Sequence, residues 1–391
     1  MMATHTRGQT ALGQALAAAI AERGPITFAD YMEVALYYPE GGYYTQAGRV
    51  PQGWEGDYLT STDLHPLFGA AIGRQLAQIW DLLGRPRPFN VLENGAGRGH
   101  LARDIATWAA ESAPDGFAEA LAYHPRDIRD VVAPPPADAA DPSGPFHVVL
   151  SNELIDAFAV HVVEHTADGL AEVYVDATGT PPHLTERLGP PATPAVADYL
   201  ARFAIPWQRF PLGWRAEVNL AAEAWLARVA DRLAPHGVVI TIDYGDTARR
   251  LYTAERRRGT LLCYHQHQIS DDPLALTGAQ DITAHVNFSA LIATGQRHGL
   301  RRAGLVTQRD FLLGLGLRTE AEALAAQRFP LAETARHTDA GQRDYLRRAS
   351  LRHAIAALLA PAGMGGFRVL IQQRGLPGSG KTLLGLHAPQ G

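Results

Sequence analysis

The sequence predicts an α/β fold with a mostly parallel sheet, and three stretches carry that prediction. The first is PFNVLENGAGRGHLARD (Pro88 to Asp104), where an apolar run of Phe89, Val91 and Leu92 ends at Glu93 and meets Gly95, Gly97 and Gly99. Leu101, Ile105 and Trp108 then recur at helical spacing, so the order is strand, tight turn, helix. The second is FHVVLSNELIDAF (146–158), a buried strand from His147 to Leu150 ending in Ser151, Asn152, Glu153 and Asp156. The third, VVITIDYG (238–245), is another buried strand, with Asp243 at its carboxyl end and Tyr244 beside it. Polar and acidic residues at the carboxyl ends of parallel strands border the crevice where such folds hold ligands.

The glycine turn narrows the ligand. Without Cβ atoms the backbone can approach a bound molecule closely. Gly95, Gly97 and Gly99 give GxGxG, not the GxGxxG of dinucleotide binders. Glu93 before the turn would repel a pyrophosphate, whereas it would accept a cation such as the ammonium of S-adenosylmethionine. A nucleotide-binding unit also places an acidic residue at the end of its second strand, for the ribose hydroxyls. Between His100 and Phe146 the nearest carboxylate of that kind is Asp127, after AEALAYHPR and before the Pro/Ala/Asp-rich stretch 131–145, which reads as a loop.

Length and composition bound the rest. The chain has 391 residues, enough for two domains or for one α/β domain with large insertions, and 46% hydrophobic residues can fill a sizeable core. A net charge of −5 with no basic block beyond Arg256-Arg257-Arg258 argues against nucleic-acid binding. Cys263 is the single cysteine, which excludes intramolecular disulfides and zinc–thiolate clusters and suits a reducing, cytoplasmic location. No apolar run is long enough to span a bilayer. The Ala-rich start has one early Arg, which leaves a transit peptide open, and an amphipathic helix from about Thr10 to Glu22 is the expected structure there.

In chain order, residues 1–87 read as a helical N-terminal region, with the tyrosine-rich ITFADYMEVALYYPEGGYY and the polar loop GDYLTSTDLHPLFG. Ser61 or Asp63 can cap the helix that follows. The Rossmann-like core is expected over 88–265, with a β-rich insertion at about 162–212, then a helical, substrate-facing insertion over 266–361. His265, His267, Asp271 and Asp281 match no metal-ligand spacing, and no metal is expected. GLPGSGKT (375–382) fits the phosphate-binding P-loop pattern, but too few residues remain for its helix and magnesium-binding strand. FRVLIQQR and LLGLHA are expected instead to form a C-terminal hairpin, within 362–391, that completes the sheet.

The stretches ITFADYMEVALYYPEGGYY, GDYLTSTDLHPLFG, VLENGAGRGHLARD, SNELIDAFAVH, ITIDYG, RGTLLCYHQH, GAQDITAHVNF and MGGFRVLIQQRG occur in one order from about residue 24 onward. In that set and order the chain resembles the MidA-like family of S-adenosylmethionine-dependent methyltransferases, relatives of the mitochondrial complex I assembly arginine methyltransferase. The resemblance implies a class I methyltransferase: a seven-stranded, mostly parallel sheet closed by an antiparallel hairpin. It implies that Glu93, Gly95, Gly97 and Gly99 hold the methionine end of the cofactor, and that Gly56, Asp57, Tyr58, Asn152 and Glu153 border the pocket. Asp127 stands in for the family's acidic E-S-P strand end, which this sequence lacks. The implied reaction is arginine N-methylation of a protein substrate, with Glu153, Asp156 and Asp243 orienting the guanidinium. A small-molecule acceptor, or a silent scaffold that binds a partner protein, are the alternatives.

Overall fold

The computed structural model describes residues 10–46, 53, 56–128, 144–378 and 382–387. Its centre is a sheet of six strands: β1 (Phe89–Asn94), β2 (Leu121–Arg126), β3 (Phe146–Asn152), β4 (Leu233–Asp243), β5 (Arg301–Thr307) and β6 (Arg368–Gln373). The spatial order is β5-β6-β4-β3-β1-β2. The four strands β2, β1, β3 and β4 run parallel, and β6 is antiparallel to both its neighbours.

Alternate residues of these strands enter two different cores, as a sheet covered on both faces requires. Val91, Val148, Leu150, Ile240 and Ile371 pack with helices Leu67–Leu82, His100–Ser112 and Asp339–Leu359. Leu92, Val149, Val239 and Leu370 pack on the opposite face with helices Leu220–Asp231 and Phe288–Arg297. The order of elements therefore brings the carboxyl ends of β1, β2, β3 and β4 to one edge.

A second, antiparallel sheet stands beside that edge. Its path runs Ile26–Thr27, Gly169–Thr178, His161–Thr166, Arg215–Val218, with His183–Gly189 paired to Gly169–Thr178. The N-terminal helices Ala11–Arg23 and Phe28–Tyr37 pack on it through Ala17, Ile20, Phe28 and Met32. Thr10 caps the first helix by accepting from the Gly13 N–H at 3.0 Å. The β-rich insertion and the N-terminal region thus share one core, although about 130 residues separate them.

Three expectations change. The sheet has six strands among the described residues, and none lies beyond β2. Antiparallel strands do close the other side, but β6 pairs with β5, which comes from within the segment read as helical. Arg301, Arg302 and Ala303 are exposed, so this edge strand lacks the apolar signature of a buried one. LLGLHA forms a 3-10 turn, Leu384–Leu386, that packs on that edge: a Cβ on Gly304 would come within 2.6 Å of the Leu386 side chain. The helix Leu220–Asp231 stops before His236 and Gly237, which lie inside β4 where its register with β3 shifts. Part of the P-loop pattern, 379–381, lies outside the described residues, and no α-helix follows it among those described.

Candidate functional site

The site forms where the parallel strands end. Gly95, Gly97 and Gly99 all have positive φ, at 73°, 53° and 71°. That region is left-handed and favours glycine. At Gly95 there is also no room, since a Cβ would stand 2.8 Å from the Leu154 Cδ1. The turn is tied to the end of β2: the Gly95 and Ala96 N–H groups donate to the Arg126 carbonyl at 2.9 and 3.0 Å. The Gly97 N–H donates to Asp127 Oδ2 at 2.8 Å. Gly99 ends the turn and precedes the helix His100–Ser112.

Two hollows adjoin this turn. The larger, about 420 Å³, is walled by Asn94, Gly95, Asp127, Phe158 and Trp225, with Tyr37, Tyr44 and Tyr58 across from them. Trp225 is held in place by its indole N–H, which donates to Asn94 Oδ1 at 3.1 Å. The smaller lies over the glycines, between Glu93, Gly97, Thr60 and Asn152. Glu93 accepts from the Tyr123 hydroxyl at 3.0 Å, and burial pushes its pKa up to about 7 despite that bond. Asn152 Oδ1 is buried without a hydrogen-bond partner.

A third cavity, also about 420 Å³, opens on the other side of Glu153 and is lined by Asp156, Tyr244, Tyr264, Asp281 and His285. Glu153 lines all three spaces. Its backbone has φ 50°, in the left-handed region, and strain of this kind in a non-glycine residue concentrates at functional sites. The Ser61 N–H, at the start of the short helix Ser61–Leu64, donates to Glu153 Oε1 at 2.8 Å, and the Asn152 side-chain amide donates at 3.2 Å. Burial nonetheless raises the Glu153 pKa to about 7.

Two phenol–carboxylate pairs line the third cavity. The Tyr244 hydroxyl donates to Asp156 Oδ2, and the Tyr44 hydroxyl donates to Asp281 Oδ1 at 2.8 Å. Asp156 Oδ1 is buried with no partner. Burial lifts Asp156 to about 6, and burial, followed by the charge of Asp156, lifts Asp281 to about 8. Such a hollow is short of positive charge.

The predicted residues divide accordingly. Glu93, Gly95, Gly97, Asp127, Asn152 and Glu153 surround the first two spaces, and Asp156 lines the third. Asp243 lines none of them: its carboxylate accepts from the backbone N–H groups of Leu154 (3.2 Å), Ile155 (2.9 Å), Asp156 (3.4 Å) and Tyr244 (2.9 Å). It fixes the loop that carries Glu153 and Asp156. Gly56 and Asp57 also stand back from the cavities, and Asp57 accepts from the Tyr43 hydroxyl at 2.8 Å and the Gln266 N–H at 2.7 Å. Tyr58, the third residue expected to border the pocket there, does reach the site.

Asp281 was legible only as part of a polar cluster with His265, His267 and Asp271. That cluster disperses, with His265 bonded to the Ala279 carbonyl and Asp271 paired with Arg258. The described residues include no group of three or more His, Cys, Asp or Glu able to hold a metal. The tyrosine-rich stretch splits in two: Tyr31 and Tyr43 fill the core, while Tyr37 and Tyr44 face the cavities.

The first two spaces fit S-adenosylmethionine. A Cβ at Gly95 would press on Leu154, Asn152 Oδ1 lacks a donor, and Glu93 and Asp127 place carboxylates beside the two spaces. Fold and site together define a class I S-adenosylmethionine-dependent methyltransferase architecture. The chain belongs to the family described as "Putative S-adenosyl-L-methionine-dependent methyltransferase", whose model matches residues 71–133 and 135–306. A Burkholderia thailandensis protein solved bound to S-adenosyl-homocysteine is 30% identical, with a TM-score of 0.78 and 98% of each chain covered. Among curated proteins, the Rattus norvegicus protein arginine methyltransferase NDUFAF7, mitochondrial, is 28% identical over 352 residues, 78% of this chain and 74% of its own. The Drosophila melanogaster homolog is 27% identical over 363 residues, covering 83% of this chain and 79% of its own. No described helix is long and apolar enough to cross a membrane.

Proposed function

We propose that the protein methylates an arginine side chain of a protein substrate, with the guanidinium seated in the cavity between the Tyr244–Asp156 and Tyr44–Asp281 pairs. The observation that carries this reading is the unpartnered, buried Oδ1 of Asp156 in a cavity lined by a second carboxylate. A guanidinium is planar and presents several N–H donors, so two carboxylates can grip different edges of it. The phenols hold each carboxylate in one orientation and add aromatic surface beside the cation.

When bound, S-adenosylmethionine supplies a sulfonium methyl group to an incoming nucleophile. Glu153, between the two sides, orients the guanidinium nitrogen toward that methyl group and excludes water from the junction. As the N–C bond forms and the S–C bond breaks, the nitrogen sheds one proton, and Glu153 and Asp156 are the carboxylates able to take it. Positioning of the two reactants supplies most of the acceleration in such a transfer. The names of the relatives lend support to arginine as acceptor. A silent scaffold is disfavoured, because the segment after the glycine turn provides β2 and places Asp127 on Gly97 although it lacks the family's E-S-P strand end.

The test is to incubate the protein with isotopically methyl-labelled S-adenosylmethionine and a proteome extract, then locate the label by mass spectrometry. Label on arginine nitrogen, lost in Asp156→Asn, is expected. Label confined to another residue type or to a small molecule would overturn the arginine reading.

A further inference from the structure

The arginine triplet 256–258 is left unexplained by the methyl-transfer site. Arg256 and Arg258 border an outer groove of about 750 Å³, and His285 lines both this groove and the acceptor cavity. Two other arginines in the groove are matched by acids. The Arg215 guanidinium meets Glu164 at 2.7 Å and Glu186 at 2.8 Å, and Arg258 meets Asp271 at 2.8 Å. Arg256 is different: no ion pair joins it to a carboxylate among the described residues, and its Nη1 stands 3.4 Å from His285 Nδ1. Burial, and then the charge of Arg256, pushes the His285 pKa down to about 4, so the imidazole is neutral at pH 7 and leaves that charge uncompensated.

The groove has a fixed wall. Thr260 donates its N–H and its hydroxyl to the buried Glu217 carboxylate, each at 2.8 Å, and the His285 N–H donates to Thr260 Oγ1 at 3.0 Å. Arg256 is thus held beside the residue that joins groove to cavity. A polypeptide whose side chain fills the cavity needs a path for its backbone, and this groove opens next to it.

We infer that the groove receives the polypeptide on one side of the methylated residue, and that Arg256 selects an acidic side chain there. This rests on the acceptor being a protein arginine. Because the acids in the groove are engaged by Arg215 and Arg258, Arg256 is the cation left to pair with an incoming carboxylate.

The experiment uses the full-length protein with S-adenosylmethionine and peptides carrying a central arginine, with Asp, Ala or Lys scanned over three positions on each side. The wild type is expected to favour Asp at one position by roughly fivefold to tenfold in KM, with kcat within about twofold. Arg256→Ala abolishes that preference, Arg256→Glu transfers it to Lys, and Arg258→Ala leaves it intact, all with unchanged S-adenosylhomocysteine affinity and melting temperature. An Arg256→Glu protein that ranks the peptides as the wild type does would overturn the groove inference while arginine methylation stands. Methylation of another residue type with the same Arg256-dependent preference would support the groove and sink only the arginine reading. If the wild type binds S-adenosylhomocysteine yet methylates no peptide, both fall.

Discussion

The two sides of Glu153 are built in different ways. The cofactor side comes largely from short runs of sequence at adjacent strand ends: Glu93 to Gly99, Arg126–Asp127, and Asn152–Glu153. The acceptor side is gathered from Asp156, Tyr244, Tyr264 and Asp281, which belong to distant parts of the chain, with Tyr44 and Tyr58 shared between the two sides. The first side is shaped by backbone in the left-handed region, and at Gly95 an added Cβ would press on Leu154. The second consists of side-chain charge that is costly to bury without a partner. Function on the first side therefore depends on steric room, and on the second on electrostatic balance.

Gly95→Val strikes the first side hardest. It places a branched side chain at φ 73° and against Leu154, so S-adenosylhomocysteine binding is expected to weaken by at least roughly 100-fold in calorimetry, while circular dichroism keeps the fold's signature. If binding survives, the turn is not the cofactor cradle.

Asp156→Asn belongs to the second side. Methyl transfer should fall by about 100-fold with S-adenosylhomocysteine affinity nearly unchanged, because the neutral amide lacks the charge that an acceptor cation needs. Asp243→Ala provides the contrast. It removes an acceptor from four backbone N–H groups and should lower stability by about 2–4 kcal/mol in denaturant unfolding. A catalytic loss at Asp243 without a loss of stability would return that residue to the acceptor side.

Asp281→Asn should separate stability from function. The Asp281 carboxyl titrates near 8 in the fold, above its ordinary value of 3.8. The folded protein therefore holds an extra proton between those values, and the wild type loses stability as pH rises from about 4 to 8. The amide that replaces it carries no such charge, so at pH 8.5 the variant should melt roughly 2–6 °C higher than wild type while methylating more slowly. A lower melting temperature would mean that the carboxylate stabilises the fold.

The smallest effect concerns pH. With Glu153 titrating near 7, its anionic form is lost as pH falls, so kcat/KM should drop by about threefold to tenfold from pH 8 to 6. Glu153→Gln should flatten that limb. An unchanged limb would assign the titration to another group.

Much of this molecule was legible in the sequence. The apolar runs of β1, β3, β4 and β6 are long enough to announce buried strands, and the GxGxG turn with Glu93 announced the cofactor edge because steric room and local charge are local properties. β5 was hidden, since its exposed arginines suit an edge and not a core. LLGLHA has the apolar content of a strand, yet the close approach of Leu386 to Gly304 and of Gly385 to Phe311 makes it a cap on that edge.

For the carboxylates, sequence supplied the residue type and strand position, and tertiary structure decided the role. Asp156 and Asp243 looked equivalent at the ends of neighbouring strands. Only the folded loop shows that one is satisfied by backbone N–H groups while the other lines a cavity and keeps a buried oxygen without a hydrogen-bond partner. Asp281 joined the site because the Leu262–His265 and Asp281–Thr283 strands pair and carry it to Tyr44. A residue's chemistry is fixed by its side chain, but its partners are set by contacts between segments far apart in the chain, 88 residues for Asp156 and Tyr244 and 237 for Tyr44 and Asp281, and those contacts exist only in the fold.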